Sequence, residues 1–175
     1  MSTISEAMSA VPSSALLVHL RWVVADADTS PLTDPALKRL TSYLPRYAET
    51  LTARCLAVGG VPDHLHLLLS LPPTQSLRSI EDELLRASQR FLREAVGCPL
   101  FAWASGQSPY QSISLPERET VTAYVVSQRE QHSSNQLWDA LEATGVETST
   151  QPKDSGAGSE EAMPDWLRAA MRSPG

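Results

Sequence analysis

Two histidines one residue apart, His64 and His66 in VPDHLHLLLSLPP, and a tyrosine and a glutamine four apart, Tyr124 and Gln128 in VTAYVVSQREQH, are of types and spacings suited to chemistry. Successive side chains of a strand point to opposite faces, so a strand here puts His64 and His66 on one face and Leu65 and Leu67 on the other. Tyr124 and Gln128 lie one helical turn apart and share a helix face. If that helix, from the same or a second subunit, packs beside the histidine strand, two imidazole nitrogens and an amide oxygen can hold a divalent ion. Positions left open on such an ion admit phosphate oxygens. Mixed nitrogen and oxygen ligation is compatible with Mg²⁺ or Mn²⁺, with Mn²⁺ tolerating imidazole better. Tyr124 is then a nucleophile for phosphorus, although a free phenol titrates near about 10 and needs help from the metal or a base. Each residue alone also has a plain structural reading: an exposed histidine pair, a core tyrosine beside Val121 and Val125, a solvated glutamine.

The elements that must position these residues follow from hydrophobic pattern and turn chemistry. ALLVHLRWVVA, residues 15–25, reads as a first strand. DADTSPLTDP breaks it, and Asp34 with Pro35 makes an N-cap and first-turn pair for a helix to about Thr52, kinked at Pro45. ARCLAVGGVPDHLHLLLSL follows as two strands joined near Gly59, Gly60 and Pro62. TQSLRSIEDELLRASQRFLREAVG is the clearest helix, with Ile80, Leu84, Ala87, Phe91 and Ala95 as its apolar stripe and Gly97 as its stop. A short strand around Tyr110 to Ser114 precedes a helix opened by Ser114 and Glu117 at capping-box spacing. The order strand, helix, strand, strand, helix, strand, helix is α+β: a ferredoxin-like βαββαβ sandwich with an added C-terminal helix carrying the tyrosine. NQLWDALEATG adds a further helical turn or two.

The expected organisation is an N-terminal tail (1–14), one domain (15–145) and an acidic flexible tail (146–175) whose PDWLRAAMR suits a short helix or a docking peptide. No apolar run approaches the ~20 residues that span a bilayer, and the N-terminus lacks the basic start of a secretory signal, so cytoplasmic residence is expected. Cys55 and Cys98 are too few for a disulfide framework and read as reduced thiols. The net charge of −6 argues against a nucleic-acid partner, but its distribution softens the argument. From Ala15 to His132 there are 11 basic against 12 acidic residues; beyond His132 there are 3 against 7.

In the histidine motif, in FAWASGQSPYQSISL before the last helix, and in the tyrosine helix with its glutamine, the chain resembles the HUH single-strand DNA transposases with one catalytic tyrosine, including insertion-sequence and REP-associated members. That resemblance covers about Leu16 to Gly145 in element order. It implies Tyr124 as the catalytic residue and His64, His66 and Gln128 as ligands of Mg²⁺ or Mn²⁺. It also implies 5′-phosphotyrosine chemistry on single-stranded DNA with hairpin ends, and a homodimer in which one subunit's tyrosine helix serves the other's histidines. No nucleotide cofactor is needed, since the phosphotyrosine ester conserves the energy of the broken bond. Arg86, Arg90 and Arg93 share a helix face and either track phosphates or form a solvated face. Trp103 and Tyr110 either stack on bases or fill the core. His19 reads as packing, His132 as exposed ahead of a place near the site two turns after Tyr124, and Asp63 as a turn residue ahead of a partner that orients an imidazole or a ligand. The family's usual basic segment after the first strand is here ADADTSPLTDP. Two other readings stay open: a non-catalytic single-stranded nucleic-acid-binding protein retaining the fold, and an unrelated metal-dependent phosphoesterase.

Overall fold

The computed structural model describes residues 16–106 and 108–142; the two tails, and with them PDWLRAAMR, lie outside the described residues. Strands β1 (Leu16–Val23), β2 (Arg54–Val61), β3 (His64–Leu71) and β4 (Tyr110–Ile113) alternate with α1 (Asp34–Thr50) and α2 (Leu77–Phe91), in the predicted order. They form one antiparallel sheet in the order β2-β3-β1-β4, the ferredoxin-like arrangement. Three short helices follow: α3 (Arg118–Val126), α4 (Gln128–Ser134) and α5 (Asp139–Glu142).

The two-residue period of the strands sorts the sheet into two layers. Leu65, Leu67, Leu69 and Leu71 of β3 and Val18, Leu20 and Trp22 of β1 pack on one side against Leu40, Leu44 and Ala48 of α1 and Ile80 and Leu84 of α2. On the other side Leu68 joins Ala57, Val121, Tyr124, Val125 and Leu141 in a smaller cluster. His64 and His66 share Leu68's parity, and so face this second layer. In register, Arg21 of β1 and Gly59 of β2 flank His66 on either side.

Local chemistry explains the element boundaries. Thr33, one residue before the expected cap, starts α1 by accepting from the Ala36 amide, with Pro35 in the first turn. Ser76 caps α2 through the Ser79 amide at 3.1 Å. A π-helical turn, Leu92–Val96, extends α2 to Gly97, whose φ of 87° is left-handed and favours glycine. The Ser114–Glu117 capping box is present, but it opens a 3₁₀ turn, Leu115–Glu117, before α3. The single tyrosine helix predicted through His132 is divided at Ser127, whose hydroxyl donates back to the Ala123 carbonyl at 2.7 Å. Gln128 therefore begins α4 rather than continuing the helix of Tyr124.

Gly59 and Gly60 do not form the hairpin turn; both lie inside β2, and Pro62 and Asp63 make the connection. The reason at Gly59 is steric. A Cβ there would stand 1.7 Å from the Val125 carbonyl oxygen and 2.8 Å from its carbon, both backbone atoms of α3. The missing side chain lets α3 lie directly on β2. Gly59→Ala is therefore expected to lower stability by about 1–3 kcal/mol or more, as overpacking against rigid backbone does. Urea unfolding read from tryptophan fluorescence measures this, and a midpoint unchanged from the parent would contradict the close approach.

Candidate active site

The second face of the sheet holds an unusual concentration of buried polar groups. His64 and His66 are 1% and 0% exposed. Each ring has its Nδ1 engaged: that of His64 lies 2.9 Å from Asp63 Oδ1, and that of His66 lies 2.8 Å from His19 Nε2. Asp63 is both the predicted turn residue and a partner that orients an imidazole. His19, instead of merely packing, stacks on His66 at 5.0 Å between ring centroids. Burial, with the neighbouring His66, pushes the His19 imidazole down to about 3, so it is neutral near neutral pH. Burial also lowers the pKa of His66. Fixing Nδ1 in this way leaves Nε2 as the free nitrogen of each ring, the arrangement a metal-ligating histidine requires.

Tyr124 reaches the same place from α3. Its ring stands edge-on to His66, 6.2 Å between centroids. The hydroxyl donates to Glu142 Oε1 at 2.5 Å and accepts from the Trp138 amide at 3.1 Å. Burial and then the Glu142 hydrogen bond raise the pKa of this phenol above its ordinary value. Gln128 is buried; its Nε2 donates to the Tyr124 carbonyl at 3.3 Å, and its Oε1 has no partner. The tyrosine and the imidazoles thus meet within one chain.

Glu142 is the residue that local spacing does not reveal. One of its carboxylate oxygens lies 3.3 Å from His64 Nε2 and 3.5 Å from Arg21 Nε; the other lies 3.3 Å from His66 Nε2 and 3.7 Å from His132 Nε2. Burial pushes this carboxyl up, but the imidazoles of His64 and His66 and the Tyr124 hydroxyl outweigh it and hold it well below the usual carboxylate range. The sequence signal for its placement is slight: Trp138 and Leu141 supply the apolar side that docks α5, with Leu141 fully buried in the second cluster. His132, expected to be exposed, has a side chain only 28% exposed and a ring 4.9 Å from that of His64.

Among the described residues, the buried side-chain nitrogen and oxygen atoms without a hydrogen-bond partner are Arg21 Nε and Nη1, the Nε2 atoms of His64, His66 and His132, and Gln128 Oε1. Buried polar atoms are normally satisfied, and these belong to the residues gathered around Tyr124 and Glu142. Imidazole nitrogens with an amide or carboxylate oxygen form a donor set that fits a divalent ion. One ligand atom from each of His64, His66 and Glu142 lies within 4.8 Å of the others.

Other candidates lie elsewhere. Arg86, Arg90 and Arg93 belong to α2 and its π-helical extension, in the opposite layer, so the sheet separates them from the imidazoles. Arg86 pairs with Glu83 at 2.9 Å and Arg93 donates to the Phe101 carbonyl at 2.6 Å, while Arg90 is exposed. Trp103 is a core residue, packed against Trp22 and Phe101 with its indole N–H on Ser88 Oγ at 3.0 Å. Tyr110 on edge strand β4 is 53% exposed. No helix among the described residues is long and apolar enough to cross a membrane.

Comparison with known proteins places these features in a family. No curated protein matches the chain in sequence. Among solved structures, a transposase candidate from Deinococcus radiodurans is similar at 22% identity and a TM-score of 0.51, covering 70% of this chain and 92% of its own. A REP-associated tyrosine transposase bound to a REP hairpin is similar at 15% identity and a TM-score of 0.48, covering 67% and 68%. The first of these likenesses bears on the fold. The model of the IS200-like transposases matches residues 13–128, a span that runs from before β1 to Gln128 and takes in both imidazoles and Tyr124. His132 and Glu142 fall beyond it, and on the strength of that match the chain belongs to the IS200-like transposase family.

Proposed function

We propose that this chain nicks and rejoins single-stranded DNA in a metal-dependent reaction through a covalent 5′-phosphotyrosine on Tyr124. The observation that carries the reading is the edge-on placement of Tyr124 beside His66, on a sheet face where Nε2 of His64 and of His66 makes no hydrogen bond and faces the Glu142 carboxylate. His64, His66 and the unpartnered Oε1 of Gln128 are the atoms that would hold Mg²⁺ or Mn²⁺. Bound there, the ion would supply Lewis-acid polarisation of the scissile phosphodiester.

This chain's own residues do the rest. Asp63 and His19 fix the two imidazole rings. Val121 and Val125 bury one side of α3 against β2 and β3, which holds Tyr124 at the site. The Tyr124 oxygen attacks phosphorus as the P–O3′ bond breaks, and the proton the phenol gives up to solvent is matched by the one the departing 3′ oxygen takes from it to leave as a hydroxyl. Attack by a 3′-hydroxyl on the phosphotyrosine reverses the step, so a strand can be transferred without a nucleotide cofactor. The substrate in this reading is single-stranded DNA with hairpin ends, and the protein works as a homodimer, both as the family resemblance implies. A second reading, binding of single-stranded nucleic acid without catalysis, is favoured by the carboxylate of Glu142, which stands before both imidazoles at the site.

With Mn²⁺ and a pool of hairpin-bearing oligonucleotides, the protein is expected to form an SDS-stable DNA adduct that Tyr124→Phe abolishes. No adduct across the pool would leave the binding-only reading. Cleavage that survives Tyr124→Phe would point to a phosphoesterase instead. The orienting role of His19 predicts that His19→Ala weakens Mn²⁺ binding by about 10–100-fold, the usual effect of losing such a partner, with His66→Ala weakening it further. Calorimetric titration with the metal alone decides this, and an affinity unchanged in His19→Ala would refute the orienting role.

A further inference from the structure

We propose that Arg21 receives the scissile phosphate, and that Glu142 holds this phosphate's seat while no DNA is bound. The inference rests on the nicking reading above and deepens it by naming a further residue that touches the substrate.

Arg21 projects from β1 toward the second layer, opposite His66 in register. Its side chain is 10% exposed, and neither Nε nor Nη1 has a hydrogen-bond partner. A guanidinium is a rigid fork of donors that matches carboxylate or phosphate in pairs of short parallel bonds. The contact actually made is a single 3.5 Å approach of Nε to Glu142, outside hydrogen-bond geometry. A carboxylate whose purpose was to neutralise this arginine would close to a paired contact. A buried cation with unused donors instead calls for an anion with more oxygens.

Glu142 marks where that anion sits. Its oxygens face Arg21, His64, His66 and His132, and accept from Tyr124 at 2.5 Å. A DNA phosphodiester carries the same single negative charge on a tetrahedral group. Placed there, it would put phosphorus in front of the Tyr124 oxygen, one non-bridging oxygen before the guanidinium and the other on the side of the imidazoles, where an ion held by His64 and His66 would meet it. The carboxylate arrives on α5, a helix of 4 residues outside the strand ladder, held by Leu141 and Trp138 and by one side-chain hydrogen bond from Gln111 of β4 to the Ala140 carbonyl. Its withdrawal leaves every strand intact.

The test uses the full chain, free of metal, with inorganic phosphate as the probe. Thermal unfolding and ³¹P line broadening are followed against chloride at equal ionic strength. Glu142→Ala is expected to bind phosphate about tenfold or more tighter than the parent, with the melting temperature rising as phosphate is added. In the double variant Arg21→Gln with Glu142→Ala that gain should vanish. Equal phosphate binding by the parent and Glu142→Ala would overturn the proposal, as would a double variant that keeps the gain. If Arg21→Gln does not fold, Arg21→Lys in the same background replaces it. Loss of the fork should then cost most of the gain, and a full gain would overturn the proposal. The outcome is independent of catalysis: absence of a Tyr124 adduct with the phosphate seat intact rejects the nicking reading, whereas an adduct without the seat rejects Arg21.

Discussion

Burial of polar rings on one face of a sheet is the constraint from which the rest of this structure follows. Strand alternation carries Leu65, Leu67, Leu69 and Leu71 of β3 to the first layer and so commits His64 and His66 to the second. Taking imidazoles out of water is unfavourable unless their nitrogens find partners. Asp63 and His19 satisfy one nitrogen of each ring, and the other nitrogens face a common space. Sealing that space requires a cover that approaches the sheet closely. Gly59 permits it by letting the backbone of α3 lie against β2, and Val121, Val125 and Leu141 complete the cover with apolar surface.

The two layers divide the work. The first, built from α1, α2 and the apolar parity of β1 and β3, is an ordinary close-packed core with many contributors. The second has a small apolar cluster wrapped round a polar interior. Apolar packing is therefore concentrated on one side of the sheet and buried polar groups on the other. Short helices such as α4 and α5, with little apolar area of their own, belong to the less stable end of such a structure and are the elements best able to move.

Much of this was legible in the sequence because it depends on local period. The alternation of HLHLLLSL fixed the shared face of the histidines, and the stripe of α2 and the Ser114–Glu117 box stood out by spacing alone. The glycines of β2 misled, since paired glycines before a proline resemble a turn, whereas Gly59 answers to a helix some 60 residues away. Ser127 divided the tyrosine helix through a back-bonded hydroxyl that pattern does not display. His19 and Arg21 gave no signal because a lone polar residue on a strand has no partner within reach of local spacing. Glu142 was the least legible of all: it meets His64 from 78 positions further along the chain, and only the fold makes them neighbours.

Chain order adds a consequence in time. The sheet closes with β4, and Tyr124 and Gln128 follow within the next 15 residues after Ile113, whereas Glu142 comes later still. During synthesis from the N-terminus, the imidazoles, the guanidinium and the tyrosine are thus all made before the carboxylate that will stand among them. The newborn domain passes through an interval in which Arg21, the imidazoles and Tyr124 share a recess that Glu142 has not yet entered. How quickly α5 docks after leaving the exit tunnel then decides whether the recess first meets a nucleic acid or its own chain.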